Sequence, residues 1–230
     1  MASSSLPYEI LQYIIDEERE ATEEREIKLP PMDELAKTMR VSRGKLREEL
    51  IAAQAYGVVE MRPGDGTYVR PFDFYSAIRT IVLYGIERDR SNFDRFYRLR
   101  VQLEAAFWEQ AARRLEPEDI ETLQKILERA EKKLKGSPVE IPHEEHREFH
   151  LSMFGKLDNE FVLGLLRAYW DAYEAVGLNR YFDYSYFEKM WSSHRIMVEA
   201  ITTGKYDVGM QSMLEHFTLL EDRLEGSSEG

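Results

Sequence analysis

The five histidines of this 230-residue chain, His143, His146, His150, His194 and His216, all fall in its last 88 residues. His146 and His150 are four apart, so a helix would carry both rings on one face. His194 lies ten residues before Gly204 and His216 twelve after it, and an antiparallel helix pair turning there would bring the two to one level. Four imidazoles from three helices make a nitrogen ligand set for a borderline divalent ion such as Zn²⁺ or Ni²⁺. The chain has no cysteine, which excludes disulfides, thiolate catalysis and sulfur-ligated zinc. Spacing alone leaves a second reading open, because a helical histidine is usually an ordinary polar or core residue. His143, one i, i+3 step earlier, reads as a spare or outer ligand or, more simply, as a solvated residue at a helix start.

A second group of residues suits phosphate and base edges. Lys37, Arg40, Arg43, Lys45 and Arg47 fall within eleven residues that contain no acid. Arg43 and Arg47 share a helix face, and Ser42 is a good N-cap, which places a helix N-terminus beside any bound phosphate. Guanidinium forks grip guanine edges or phosphates, whereas lysine adds mainly charge. Gly64 and Gly66 flank Asp65 in a tight turn whose backbone is free to approach a neighbouring groove.

These groups need elements to hold them. Leu6–Glu20 carries apolar residues at helical spacing, as does the segment from Pro31 to Met39. A third helix starting at Ser42 turns Leu46, Leu50 and Ala53 inward and can end at Gly57. The period then changes to a strand at Val58–Met61, a turn through Arg62–Gly66 and a returning strand at Thr67–Arg70. This describes a unit of residues 1–72, three helices and a hairpin wing. From residue 73 to 224 the spacing predicts helices near 73–88, 93–115, 118–135, 143–155, 160–177, 184–203 and 206–224, an all-α antiparallel bundle. Residues 225–230 read as a disordered tail. The fold class expected is therefore mainly α, a winged helix-turn-helix followed by a helical bundle.

Composition sets bounds on function. With 31 basic and 43 acidic side chains the formal charge is −12, which argues against coating nucleic acid by bulk charge. Residues 1–72 hold 10 basic and 14 acidic groups, a net of −4, so basic character is confined to one short element. The start lacks a basic leader and no apolar run approaches the ~20 residues of a membrane span, so a cytoplasmic protein with no membrane partner is expected.

LPPMDELAKTMRVSRGKLREELIAAQAYGVVEMRPGDGTYV (Leu29–Val69) resembles the winged helix-turn-helix of GntR-type bacterial transcription regulators, with its Leu-Pro opening, Ser-Arg…Arg-Glu helix, helix-ending glycine and Gly-x-Gly wing. The resemblance implies that Arg40, Ser42, Arg43, Lys45, Arg47, Gly64 and Gly66 face operator DNA and that the protein is a homodimer. Two residues depart from the family's habit. Asp33 stands where an arginine usually contacts phosphate, and Asp65 puts an acid in the wing tip. Both imply weaker or more salt-sensitive DNA binding, or a changed operator.

Arg98–Leu123, His146–Asn159 and His194–His216 resemble the FCD effector domain of the FadR-like branch of that family. Many such domains bind a divalent metal through an acidic residue four before a histidine plus two later histidines. His150, His194 and His216 match the histidine positions, and His146 stands at the acidic one, which raises the charge of a loaded site by one and shifts preference from Mn²⁺ toward Zn²⁺ or Ni²⁺. The pattern also implies Arg100, four before Glu104, as a clamp for a carboxylate effector; the alternative is a surface i, i+4 ion pair. Tyr169, Trp170, Tyr173, Tyr181 and Tyr184 either line the pocket or pack the core. The function expected is a ligand-responsive transcription regulator that is not an enzyme, binding a divalent metal and a small organic acid. A metal sensor in which the ion is the signal is the alternative. A histidine-ligated metalloenzyme ranks lower, since four histidines close a tetrahedral shell and no HExxH or nucleophile elbow is present.

Overall fold

The computed structural model describes residues 6–20, 26–178 and 183–226. Its elements run α1 (Glu9–Glu20), α2 (Met32–Met39), α3 (Arg43–Ala55), β1 (Val59–Arg62), β2 (Gly66–Val69), α4 (Phe74–Arg88), α5 (Ser91–Ala112), α6 (Pro117–Leu134), α7 (His143–Phe154), α8 (Glu160–Ala175), α9 (Tyr184–Thr202) and α10 (Tyr206–Gly226). They divide between two units, Met1–Thr80 and Ile81–Gly230. The division lies inside α4, later than the punctuation at Pro71 suggests. The first turn of that helix stays with the first unit, where the Ser76 side chain fills the space beside Gly57. The C-terminal helix runs on to Gly226, two residues into the segment read as tail, and residues 227–230 lie outside the described ones. Among the described residues no helix is long and apolar enough to cross a membrane.

In the first unit Ile10 and Ile14 of α1 and Leu35 and Ala36 of α2 meet Leu46, Leu50 and Ala53 of α3, with Val59 and Val69 closing the core from the hairpin. The register Val59↔Val69, Glu60↔Tyr68, Met61↔Thr67, Arg62↔Gly66 makes an antiparallel wing. A third segment joins it: the Leu29 N–H donates to the Thr67 carbonyl and the Val69 N–H to that of Ile27, both at 2.8 Å. A single bridge is too short to show periodicity, so this pairing has no counterpart in the sequence pattern. Helix α1 is capped from a distance, its Ile10 N–H donating to the buried Glu49 carboxylate at 2.9 Å. That contact satisfies an orphan donor and places a negative charge at a helix N-terminus.

In the second unit α5 presents Phe93, Tyr97, Arg100, Glu104, Trp108 and Ala111 inward, a helical stripe whose centre is charged. Helices α9 and α10 form the antiparallel hairpin expected around Gly204, which takes φ +70° while the Lys205 N–H returns to the Ala200 carbonyl at 2.8 Å. Close approach needs a second glycine in this hairpin, since a Cβ on Gly209 would stand 2.3 Å from Cζ2 of the buried Trp108. The approach seats α10 deeply enough for the His216 ring to meet that of His194.

Candidate functional site

Helix α7 carries His146 and His150, α9 carries His194 and α10 carries His216; all four are at most 3% exposed. One ring nitrogen from each lies within 4.8 Å of the others. The Nε2 atoms of His150 and His194 are 3.2 Å apart, close to the about 3.3–3.4 Å between ligands of a tetrahedral ion with bonds of about 2.0–2.1 Å. Both ring nitrogens of His146 and the Nδ1 atoms of His194 and His216 are buried without a hydrogen-bond partner. Burying such groups unpaired is costly, and a cation held by one nitrogen of each ring would relieve part of that cost. Burial, reinforced by neighbouring rings and Arg100, holds His146, His194 and His216 well below the ordinary histidine pKa. They are therefore neutral at neutral pH, the state that coordinates metal.

Glu104 orients the cluster. Its Oε2 is 2.9 Å from Nδ1 of His150, and its Oε1 accepts from Nε of Arg100 at 2.7 Å. The carboxylate assigns the proton to Nδ1 of His150 and leaves Nε2 free as a ligand, the usual support for a metal-binding histidine. Burial opposes ionisation of Glu104, yet Arg100 and His150 outweigh it and hold the carboxyl at about 2. Burial pushes His150 down as well, while Glu104 pulls the other way. The Arg100–Glu104 pair is 2% and 0% exposed, so the surface-pair alternative fails. The Arg100 guanidinium lies 4.4 Å from the Tyr169 ring centroid and 4.8 Å from that of Trp170, with its Nη2 buried and unpartnered.

The remaining candidates fall into place around this centre. Tyr169, Trp170 and Tyr173 are buried, and Trp170 stands edge-on to His146 at 4.7 Å. Tyr184 neither lines the centre nor packs the core: it opens α9 at 40% exposure. Tyr181 lies outside the described residues. His143 opens α7 half-buried, edge-to-face with Phe187 at 5.1 Å and outside the four-histidine cluster, so it is neither a ligand there nor simply solvated. Two contributions escaped the spacing arguments. Glu104 meets a histidine 46 residues away, and Trp191 of α9 packs on His194 at 4.8 Å.

The basic group of the first unit is less uniform than its sequence suggests. Arg40, Arg43 and Arg47 are exposed, and Ser42 caps α3 by accepting from the Lys45 N–H at 3.2 Å. Arg40 ends α2 in the left-handed region at φ 56°, a conformation more natural to glycine. Lys45 is ion-paired with Glu9 and lies 3.7 Å from Glu49, so its charge is compensated within the unit. Asp33 reaches Nε of Arg43 at 3.0 Å. At the wing tip Gly64 and Gly66 take φ +76° and +144°, and Asp65 accepts from Tyr68 Oη at 2.8 Å and Lys28 Nζ at 3.1 Å. That acid is thus matched inside the wing, not presented alone.

A short winged helix with an arginine-bearing α3 and an all-α bundle with a buried histidine centre define the class of a two-domain regulator. Residues 9–69 match the bacterial regulatory proteins of the gntR family, and residues 95–219, more than half of the chain, match the FCD domain. The chain belongs to the GntR family of transcription regulators, among those that carry an FCD domain. It is 26% identical over 207 residues to the HTH-type transcriptional regulator LutR of Bacillus subtilis, covering 86% of this chain and 92% of that protein. It is 27% identical over 203 residues to the Uxu operon transcriptional regulator of Escherichia coli, covering 86% and 78%. The fold is shared with a Streptococcus agalactiae GntR structure at a TM-score of 0.69 and 21% identity, covering 93% of this chain and 96% of that one.

Proposed function

We propose that this chain is a cytoplasmic homodimeric regulator that reads operator DNA with α3 and the wing. It holds a divalent metal on His146, His150, His194 and His216, and it responds to a small organic acid gripped by Arg100. The observation that carries the metal part is the set of four buried imidazoles that bring one ring nitrogen each within 4.8 Å of the others, three of them with unpartnered ring nitrogens. Zn²⁺ or Ni²⁺ suits an all-nitrogen set best, with Mn²⁺ the weaker fit. The ion supplies a fixed positive centre in the bundle. Glu104 orients His150, and Arg100 offers a guanidinium to a carboxylate. An acid changes operator affinity only if it binds two arrangements of the dimer unequally.

On the DNA side Arg40, Ser42, Arg43 and Arg47, with the backbone at Gly64 and Gly66, remain the proposed contacts, while the ion pairs of Lys45 favour a structural role. The test is fluorescence anisotropy of the metal-loaded protein on DNA from its own promoter region against unrelated DNA, over a salt series. Sequence-preferring binding that weakens linearly in log affinity against log salt is expected. Equal binding to both DNAs would sink the reading. The closed four-nitrogen shell also favours a second reading, with the ion itself as signal; release of DNA by chelation alone would select it.

Asp33→Asn should tighten DNA binding. The substitution removes the counter-charge 3.0 Å from Arg43 and one acid from the proposed phosphate-facing surface. The expected gain is about three- to tenfold at low ionic strength, with a log–log salt slope steeper by about one. Unchanged affinity and slope would show that Arg43 does not approach phosphate.

A further inference from the structure

The charges around the histidine centre specify more than a carboxylate. Among the described residues of the second unit, the buried charged side chains besides the histidines are Arg100, Glu104 and Glu145. Glu145 is matched by Lys133 at 2.8 Å, and Arg100 by Glu104 at 2.7 Å. Four imidazoles add no charge, because histidine ligates a metal as the neutral ring. A divalent ion seated there therefore brings two positive charges that no buried side chain among the described residues compensates, in a place where an uncompensated charge is strongly disfavoured.

The hydrogen-bonding groups have the same bias. Nη2 of Arg100 and the indole Nε1 atoms of Trp170 and Trp191 are buried without partners. All three can only donate. They belong to one neighbourhood: the guanidinium is 4.8 Å from the Trp170 ring, Trp170 is 4.7 Å from His146, and Trp191 is 4.8 Å from His194. A surplus of donors beside a doubly positive centre complements a ligand made of acceptors and carrying two negative charges.

We infer that the effector of this centre is a dianionic dicarboxylate, and that His146, by being neutral where an acid would halve the excess charge, is the residue that sets this preference. The inference rests on the proposed metal site, so metal content is measured first on full-length protein loaded with Zn²⁺ and desalted. A protein that retains no zinc overturns the metal reading, and this inference with it. For protein that retains one ion per chain, the probes are three charge-matched pairs: malonate with malonamate, succinate with succinamate, and glutarate with glutaramate. Binding is measured by thermal shift and calorimetry. At least one dianion is expected to bind tenfold or more tighter than its monoamide. In His146→Asp carrying the same metal, that ratio should fall to threefold or less. Trp191→Phe, which keeps the ring and loses the N–H, should weaken the dianion about three- to tenfold, the scale of one lost hydrogen bond. Zinc-loaded protein that binds no dianion, or binds each pair equally, overturns the inference, and so does an unchanged ratio in His146→Asp.

Discussion

Arg100→Ala is expected to destabilise the helical unit by about 3–5 kcal/mol, the range for removing one partner of a buried ion pair. The guanidinium is 2% exposed, and its loss strands the fully buried Glu104 carboxylate, which then keeps only His150. All three tryptophans, Trp108, Trp170 and Trp191, belong to the second unit, so urea unfolding followed by tryptophan fluorescence reports on that unit alone. The measurement is made with a chelator present, so that metal does not contribute. Arg100→Met combined with Glu104→Gln should recover at least half of the loss, because neither charge is then left unpaired. A cost below about 1 kcal/mol for Arg100→Ala would mean that solvent reaches the pair and screens it as it does surface ion pairs.

His194→Ala should abolish metal retention. The ring is fully buried, its Nε2 is 3.2 Å from that of His150, and no other residue of α9 belongs to the cluster. Protein loaded with Zn²⁺ or Ni²⁺ and desalted is expected to carry one ion per chain in the parent and less than a tenth of that in the variant, by elemental analysis. The thermal consequence follows from linkage. Free metal at a thousandfold excess over its dissociation constant stabilises the folded form by about 4 kcal/mol. For a unit of this size that corresponds to a rise of about 8–16 °C in midpoint. The variant should show no such rise. A variant that keeps its ion would assign the site to other residues.

The sequence was most informative where the information is local. The helix faces of α2, α3 and α7 follow from the spacing of Leu35 and Ala36, of Leu46, Leu50 and Ala53, and of His146 and His150, and all of these residues are buried. The level match of His194 and His216 follows from counting out from Gly204, and their rings lie 4.6 Å apart. The aromatic residues were ambiguous for a physical reason. Burial of Tyr169 and exposure of Tyr184 depend on which neighbouring helix covers each turn, and periodicity within one helix carries no such information.

The charged groups show the division most clearly. That basic residues collect between Lys37 and Arg47, and that Arg100 and Glu104 share a helix face, is determined by the sequence, because both depend only on separations of a few residues. Which charges remain available is decided by the tertiary structure. Lys45 meets Glu9 across 36 residues, Arg43 meets Asp33 of the preceding helix, and Glu104 meets His150 across 46. An ionic contact is fixed by where two backbones pass, to within a few ångströms. Spacing along one helix sets the direction of a side chain, but only the packing of a second helix against it decides what that side chain meets.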